Sequence, residues 1–280
     1  MLKNSEIPEI LQNIPQPPKV LHVLGDLSLL LQAPRVAVVG SRKVSPYGRQ
    51  VTESLVRSLT GAGVVIVSGL ALGIDSIAHE ACLEAGGKTI AVLPSGLDSI
   101  YPSSHRQLAK RILETGGALI SEYELGMPAL KHNFIERNRL VSGISDGVLI
   151  PEAALKSGTL HTANFALDQG KTIMAVPGNI TSQTSEGTNN LLKSGAILVT
   201  EVQDILQALR IDGTGHQRQL PLAANAAEQI ILDLIAAGES DSSILLAKSE
   251  LSPSEFNQTL TMLEITGKIQ ALGAGNWGMR

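Results

Sequence analysis

Residues 36–67 read VAVVGSRKVSPYGRQVTESLVRSLTGAGVVIV. Val36–Val39 is a short β-branched run that stops at Gly40. Val51, Leu55 and Leu59 then recur at i, i+4 and i+8, and a second apolar run, Val64–Val67, follows a Gly-Ala-Gly break. Continuous β-branched runs are what a strand buried on both faces looks like, and the fourfold spacing between them is one face of a helix. Strand, helix and strand at this spacing predict a right-handed crossover between parallel strands.

The alternation continues toward the C-terminus. Thr89–Leu93, Ala118–Ile120, Val148–Ile150, Thr172–Val176 and Ala196–Val199 read as further buried strands. Helical patterns lie between them, one from near Pro102 with Leu108, Ile112 and Leu113, another over Ser157–Gln169 that stops at Gly170. The expected architecture is α/β, a doubly wound, mostly parallel sheet over residues 35–210. Aromatics make up only 2% of the chain, which fits tightly packed α/β layers better than a β-sandwich. Residues 1–34 are expected to be a vestigial N-terminal extension. Residues 211–224 lack periodicity and read as a linker. Beyond it, Ala227–Ala236, Ser242–Lys248 and Pro253–Ile265, the last capped by Ser252, lead into a Gly-rich end, the outline of a small winged-helix domain over residues 225–280.

Composition narrows the function. The single cysteine, Cys82, excludes an internal disulfide and a cysteine-based metal cluster, and the six histidines show no i, i+4 metal spacing. The strongest charge-free apolar stretch, Ala62–Ile74, is shorter than the ~20 residues needed to span a bilayer, and the N-terminus lacks a signal-peptide apolar core. A cytoplasmic protein without a membrane partner is expected. Net charge is −4, yet it is unevenly spread: residues 35–210 hold 16 Lys/Arg and 15 Asp/Glu, whereas residues 225–280 hold 3 and 7. A polyanion would therefore meet the first segment rather than the second.

In an open parallel sheet, ligands sit beyond the carboxyl ends of the strands. Those ends carry Gly40-Ser41-Arg42, Ser68-Gly69 through Asp75, Pro94-Ser95-Gly96, Pro151–Thr159 and Pro177-Gly178-Asn179. The first could offer amides, a hydroxyl and a guanidinium to one phosphate, or be an ordinary tight turn. Lys43 and Ser45 stand where a dinucleotide fingerprint needs its later glycines, and no Walker loop is read, so NAD and ATP are both disfavoured and no cofactor is expected. Ser68-Gly69 suits either ligand contact or close strand–helix packing. Asp75 suits a helix cap, and His79 a hydrogen-bonded structural role. Residues 133–159 are the most informative loop region. Phe134 stands among Lys131, His132, Asn133, Arg137 and Arg139, and a Ser157-Gly158-Thr159 turn able to open a helix follows a strand. A π-face, guanidinium groups and backbone amides suit the bases and phosphates of a single strand. One of the two arginines is expected to pair with Glu136 or Asp146 instead.

These loops give the chain its resemblance to the DprA/Smf family of DNA-processing proteins. The matching residues are Val36–Arg42, Ser45–Gly48, Ile66–Asp75 with Ala78-His79, Gly96–Asp98, Ile100–Pro102, Ser121–Tyr123, Asn133-Phe134, Arg137-Asn138-Arg139, Ser157–Thr159 and Ala175–Gly178. The resemblance implies an extended Rossmann-like domain that binds single-stranded DNA, forms homodimers and helps load the RecA recombinase in natural transformation. By matching position it implies that Gly40-Ser41-Arg42 grips phosphate, that Phe134 and Asn133 face bases, and that Arg137 and Arg139 line a basic pocket. Ser68, Gly69, Lys131, Asn138, Ser157, Gly158 and Thr159 complete the expected DNA-binding site, in which no catalytic residue is expected.

The chain departs from the family pattern in two places. Too few residues precede Arg35 for the helical SAM-like domain of many members, and Ile135 stands where proline commonly follows Asn-Phe. The last helix of the C-terminal module has no Lys or Arg, which favours protein contact over groove reading. Two rivals remain. A phosphoribohydrolase of the LOG type would need a Pro-Gly-Gly-x-Gly-Thr loop, whereas this chain has Pro177-Gly178-Asn179 with Gly187-Thr188 displaced. A winged-helix regulator with an α/β sensor domain suffers from the acidic C-terminal module.

Overall fold

The computed structural model describes residues 2–3, 6–31, 34–211, 225–237, 239–266, 268–273 and 275–279. The chain divides into two compact units, Met1–Thr214 and Gly215–Arg280. The expected linker lies, from residue 212 onward, outside the described residues.

In the first unit, seven parallel strands follow the predicted runs: β3 (Arg35–Val38), β4 (Val65–Ser68), β5 (Thr89–Val92), β6 (Ala118–Ser121), β7 (Gly147–Ile150), β8 (Thr172–Ala175) and β9 (Ile197–Leu198). Two N-terminal strands, β1 (Leu2–Lys3) and β2 (Val20–Gly25), extend the sheet by antiparallel pairing of β2 with β6, giving the order β1-β2-β6-β5-β4-β3-β7-β8-β9.

The pleat sends alternate residues to opposite faces. Val36 and Val38 point toward Leu55, Val56 and Leu59 of α2 (Pro46–Gly61) and Ile74, Ala78 and Ala81 of α3 (Ile74–Glu84). Ala37 and Val39 point the other way, toward Leu140, Val141 and Ile144 of α5 (Lys131–Ile144) and Ala163 and Ala166 of α6 (Thr159–Asp168). Farther along, Ala91 and Leu119 pack on Leu108 and Ile112 of α4 (Arg106–Glu114). Each fully buried Leu, Ile or Val contributes about 1.5–3 kcal/mol, so both helical layers are held mainly by these strand–helix contacts.

Two features differ from the sequence reading. Residues preceding Arg35 are built into the core rather than appended to it: Ile7, Leu11 and Ile14 are buried against α5, with α1 (Glu9–Gln12) beside Gly143, where a Cβ would lie 3.1 Å from Ile14. And Asn133-Phe134 does not sit in a loop but in the first turn of α5.

The connectivity creates the crevice. From β3 the chain steps to β4, β5 and β6 on one side; α5 then carries it back to β7 on the other side of β3, and on to β8 and β9. The loops after β3 and β7 therefore part at a topological switch point, where open α/β sheets bind ligands.

After α7 (Glu186–Lys193) and α8 (Val202–Ala208) of the first unit, the described residues of the second unit form three helices, α9 (Ala226–Ala236), α10 (Ser242–Ser249) and α11 (Pro253–Ile265), and an antiparallel pair, β10 (Ile269–Gly273) and β11 (Asn276–Met279). Asn225, Asp241 and Ser252 cap the helix N-termini through their side chains. The core gathers Ile231, Leu232, Leu245, Phe256, Leu260 and Leu263, and Lys268 Nζ lies 2.6 Å from the buried Glu228 carboxylate.

Candidate functional site

A cavity of about 880 Å³ opens over the switch point. One wall is the β3–α2 turn. Gly40 is packed tightly there: a Cβ would lie 2.6 Å from Ile74 Cγ1 and 2.8 Å from the Glu152 carbonyl. Ser41 N–H donates to the Glu152 carbonyl at 2.8 Å, and the Ser41 hydroxyl donates to the Lys43 carbonyl at 2.7 Å. The turn's expected hydroxyl and one of its amides are thus spent internally, and its outward-facing groups are the exposed side chains of Arg42 and Lys43. The Glu152 carboxylate, buried just past β7, accepts from Ser45 Oγ at 2.5 Å and so ties the loop after β7 to the start of α2. The sequence reading passed over Glu152; a carboxylate directly after a buried strand was the available signal.

The opposite wall is α5. Lys131, Phe134, Ile135 and Asn138 follow i, i+3, i+4, i+7 spacing and share the face that lines the cavity. The Arg42 guanidinium carbon lies 5.3 Å from the Phe134 ring centroid, a cation–π contact. Tyr101, half exposed, meets the same ring edge-on, with centroids 5.4 Å apart and planes at 77°. Phe134 is thereby held between a cation and a second aromatic.

Arg137 lies deeper, on the cavity floor. It donates through Nη1 to the carbonyls of Gly69 (2.7 Å) and Val92, and Asp75 lies nearby. Burial pulls the Arg137 pKa down to about 10, so the side chain is still cationic at neutral pH. Burial likewise pushes the Asp75 carboxyl above its ordinary range, opposed by Arg137 and by the Ala71 and Gly69 amides. Gly69 accommodates this group: a Cβ there would lie 2.5 Å from Arg137 Nη2 and 2.8 Å from Asp75 Oδ2. Ser68 is buried, donating to the Val38 carbonyl at 2.6 Å. Ser68 and Gly69 therefore act beneath the cavity rather than lining it.

Two residues expected at the site face elsewhere. Arg139 is buried and forms a fork with Glu122, at 2.7 and 2.6 Å, while its Nε donates to the Gln16 carbonyl at 2.9 Å. One arginine of the two is a structural ion pair as anticipated, although its partner is neither Glu136 nor Asp146. Asn133 is buried against the sheet and donates to the Pro94 carbonyl at 3.0 Å. Neither lines the cavity, because the helical turn that presents Phe134 to it carries both side chains away from it.

The third wall is the loop from β7 into α6. Ser157 Oγ donates to Thr159 Oγ1 (2.9 Å) and accepts from Thr159 N–H (3.2 Å), shaping the turn at which α6 opens toward the cavity. Lys156 and His161, exposed on this wall, were not singled out from the sequence. Among the described residues that line the cavity, Asp75 is the one carboxylate, against Arg42, Lys43, Lys131, Arg137 and Lys156. A chain of net charge −4 thus presents a cationic cleft with an aromatic centre, suited to an anionic ligand with a planar group.

Elsewhere, His79 is fully buried with Nδ1 2.7 Å from Thr89 Oγ1, and burial pulls its pKa down to about 3. Asp75 lies in the first turn of α3 with its carboxylate accepting from Gly69 N–H. Gly-Lys-Thr occurs at residues 87–89 and 170–172, but each copy enters a strand instead of leaving one, and Cys82 and Phe165 stand where a Walker loop has its first glycine. No group of three or more His, Cys, Asp or Glu among the described residues is placed to hold a metal ion, and no described helix is long and apolar enough to cross a membrane.

The profile of the family described as DNA recombination-mediator protein A matches residues 1–210. Protein Smf of Escherichia coli is 50% identical over 193 residues, covering 69% of this chain and 51% of that protein. DNA processing protein DprA of Streptococcus pneumoniae is 43% identical over 196 residues, covering 70% and 68%. The chain thus spans about half the length of the first relative and two thirds of the second. Among solved structures, DprA of S. pneumoniae superposes with a TM-score of 0.68 at 42% identity, covering 73% of this chain and 71% of that one. DNA processing protein A of Helicobacter pylori, whose structure concerns its single-stranded DNA binding mode, gives 0.68 at 39%, covering 75% and 94%.

Proposed function

We propose, of a chain that belongs to the DprA/Smf family of DNA recombination-mediator proteins, that the cleft over its switch point binds single-stranded DNA. The observation that carries this reading is the Arg42–Phe134–Tyr101 arrangement inside a cleft whose exposed charges are all cationic. A duplex hides its base faces, whereas a single strand offers each base to an aromatic ring and each phosphate to a guanidinium or ammonium group. Arg42, Lys43, Lys131 and Lys156 would hold phosphates. Phe134 would stack on a base, and the first amides of α6, after Ser157-Gly158-Thr159, would meet a further phosphate.

The likeness to the H. pylori protein supports the choice of ligand. We read the chain as a binding protein rather than an enzyme: Asp75 and Arg137 are engaged beneath the cleft, and the groups exposed in it are cations and aromatics. On this reading the protein is cytoplasmic, protects incoming single strands, and helps load the RecA recombinase during natural transformation as a homodimer. The second unit would be a winged-helix domain. The exposed face of α11 carries no Lys or Arg, which supports contact with protein rather than with a DNA groove.

The test is a comparison of single-stranded and duplex oligonucleotide binding by the wild type and Arg42→Ala over a range of salt. Preference for the single strand is expected, with log affinity falling against log salt by about 0.7 per phosphate contacted. Salt-insensitive binding of equal strength in both proteins would overturn the reading.

A further inference from the structure

A second cavity, of about 730 Å³, lies beside the first, over the ends of β3 and β8. The two share Thr184, and the β3–α2 turn runs from one to the other, lining the cleft at Lys43 and the second cavity at Ser45–Tyr47. Its chemistry is different. Among the described residues, no Lys, Arg, Asp or Glu lines it. Its walls are the Tyr47 ring with Pro46 and Pro177, and its polar groups are neutral ones from Asn179, Ser182 and Thr184.

The walls are held in place before any ligand arrives. Tyr47 is 46% exposed, yet its hydroxyl donates to the Pro177 carbonyl at 2.8 Å, so the ring is pinned across two loops with a face to solvent. Both backbone polar groups of Gly178 are engaged by the Asn189 amide, at 3.2 and 3.0 Å. Asn179 Oδ1 accepts from Thr181 N–H and Oγ1–H, which leaves Asn179 Nδ2 as a donor without a partner among the described residues. Ser182 and Thr184 share one hydrogen bond of 2.9 Å, so one of the two hydroxyl protons is left over. Flat apolar walls, neutral donors and the absence of a cation suit a planar heterocycle and not a phosphate.

We propose that this cavity is a nucleobase subsite, filled by a base of the same strand a short distance from the one on Phe134. The inference rests on the single-strand reading of the main cleft and adds a second stacking position with neutral recognition. The strand would pass from the cationic cleft over Thr184, with its phosphates staying on Lys43 and its next bound base turning onto Tyr47. Binding at this position releases no ions, so its contribution does not vary with salt, unlike that of the cleft.

The experiment scans one abasic position along an oligothymidylate bound to the full chain. Wild type is expected to show two separated positions at which loss of the base weakens binding by about fivefold or more, the cost of one lost stack. Tyr47→Leu should abolish the second penalty, leave the first, and keep the salt slope. Tyr47→Phe, which retains the ring, should keep both. One penalised position in wild type, removed by Phe134→Ala and indifferent to Tyr47→Leu, overturns this inference alone. A profile with no penalised position, unchanged in Phe134→Ala, overturns the main reading as well. Saturable binding of free thymidine to Arg42→Ala, lost in Arg42→Ala/Tyr47→Leu and present without a second penalised strand position, assigns the cavity to a free nucleoside and overturns the strand assignment.

Discussion

The Arg42 guanidinium sits 5.3 Å from the centre of the Phe134 ring, and the two residues come from opposite walls of the cleft, one after β3 and one on α5. The contact orders a long cation and an aromatic face before a ligand arrives, which reduces the entropy lost on binding. The two should nevertheless separate in their electrostatics. Phe134→Ala is expected to cost about 1–3 kcal/mol of single-strand affinity with the salt slope unchanged, since a stack releases no ions. Arg42→Ala is expected to lower the slope by about 0.7. Anisotropy titrations at several salt concentrations give both quantities, and equal slopes in all three proteins would show that Arg42 does not meet phosphate.

Arg139 should behave differently from Arg42 although both are arginines at expected site positions. Its guanidinium is engaged by the Glu122 carboxylate and by the Gln16 and Glu136 carbonyls. Arg139→Ala strands a largely buried carboxylate, which costs on the order of 3 kcal/mol of stability. The folded fraction should bind single strands as wild type does. Thermal unfolding paired with affinity at a temperature where both proteins are folded checks this; loss of affinity without loss of stability would place Arg139 in the cleft after all.

Gly69→Ala probes the floor. The added methyl would stand 2.5 Å from Arg137 Nη2, so the guanidinium must leave the Gly69 and Val92 carbonyls. A buried cation deprived of acceptors is destabilising by a few kcal/mol. Reduced stability is expected, together with weaker single-strand binding because the floor of the cleft shifts. A crystal structure of the variant with Arg137 unmoved would contradict this account.

The strands were legible because β3 to β7 are buried on both faces and so appear as short apolar runs rich in β-branched residues. α3 was not, because it is buried nearly all round and shows no polar stripe. α5 was hidden for another reason: its inward face carries Asn133 and Arg137 among its apolar residues, which breaks the i, i+4 rhythm. That missing helix also explains the site. Residues two apart lie on the same side of a strand but about 200° apart on a helix. Arg137 and Arg139 look equivalent in the sequence, and only the helical phase decides that Arg137 reaches the cleft while Arg139 faces Glu122. Arg42 and Phe134 were legible from residue type, because a cation and a lone aromatic beside strand ends have few structural uses. Lys156 and Tyr101 were given no role of their own, since nothing local distinguishes them from ordinary surface residues.

His79 supplies a prediction about pH. In the unfolded chain its imidazole takes up a proton near its ordinary pKa of 6.5, whereas in the fold burial, aided by His105 and Arg137, holds it neutral down to about 3. Between those values the unfolded state binds the extra proton. The contribution of His79 is therefore fully present above about pH 6.5 and is lost as pH falls toward 3, at up to about 1.4 kcal/mol per pH unit. Asp75 acts in the opposite sense, because its raised folded pKa lets the native state hold a proton that the unfolded state has released. Denaturant unfolding of wild type and His79→Gln across pH 4–8 isolates the histidine: the stability difference between them should shift in the variant's favour as pH falls below 6.5 and be constant above it. A difference that is flat over the whole range would mean that the imidazole is protonated as readily in the fold as out of it.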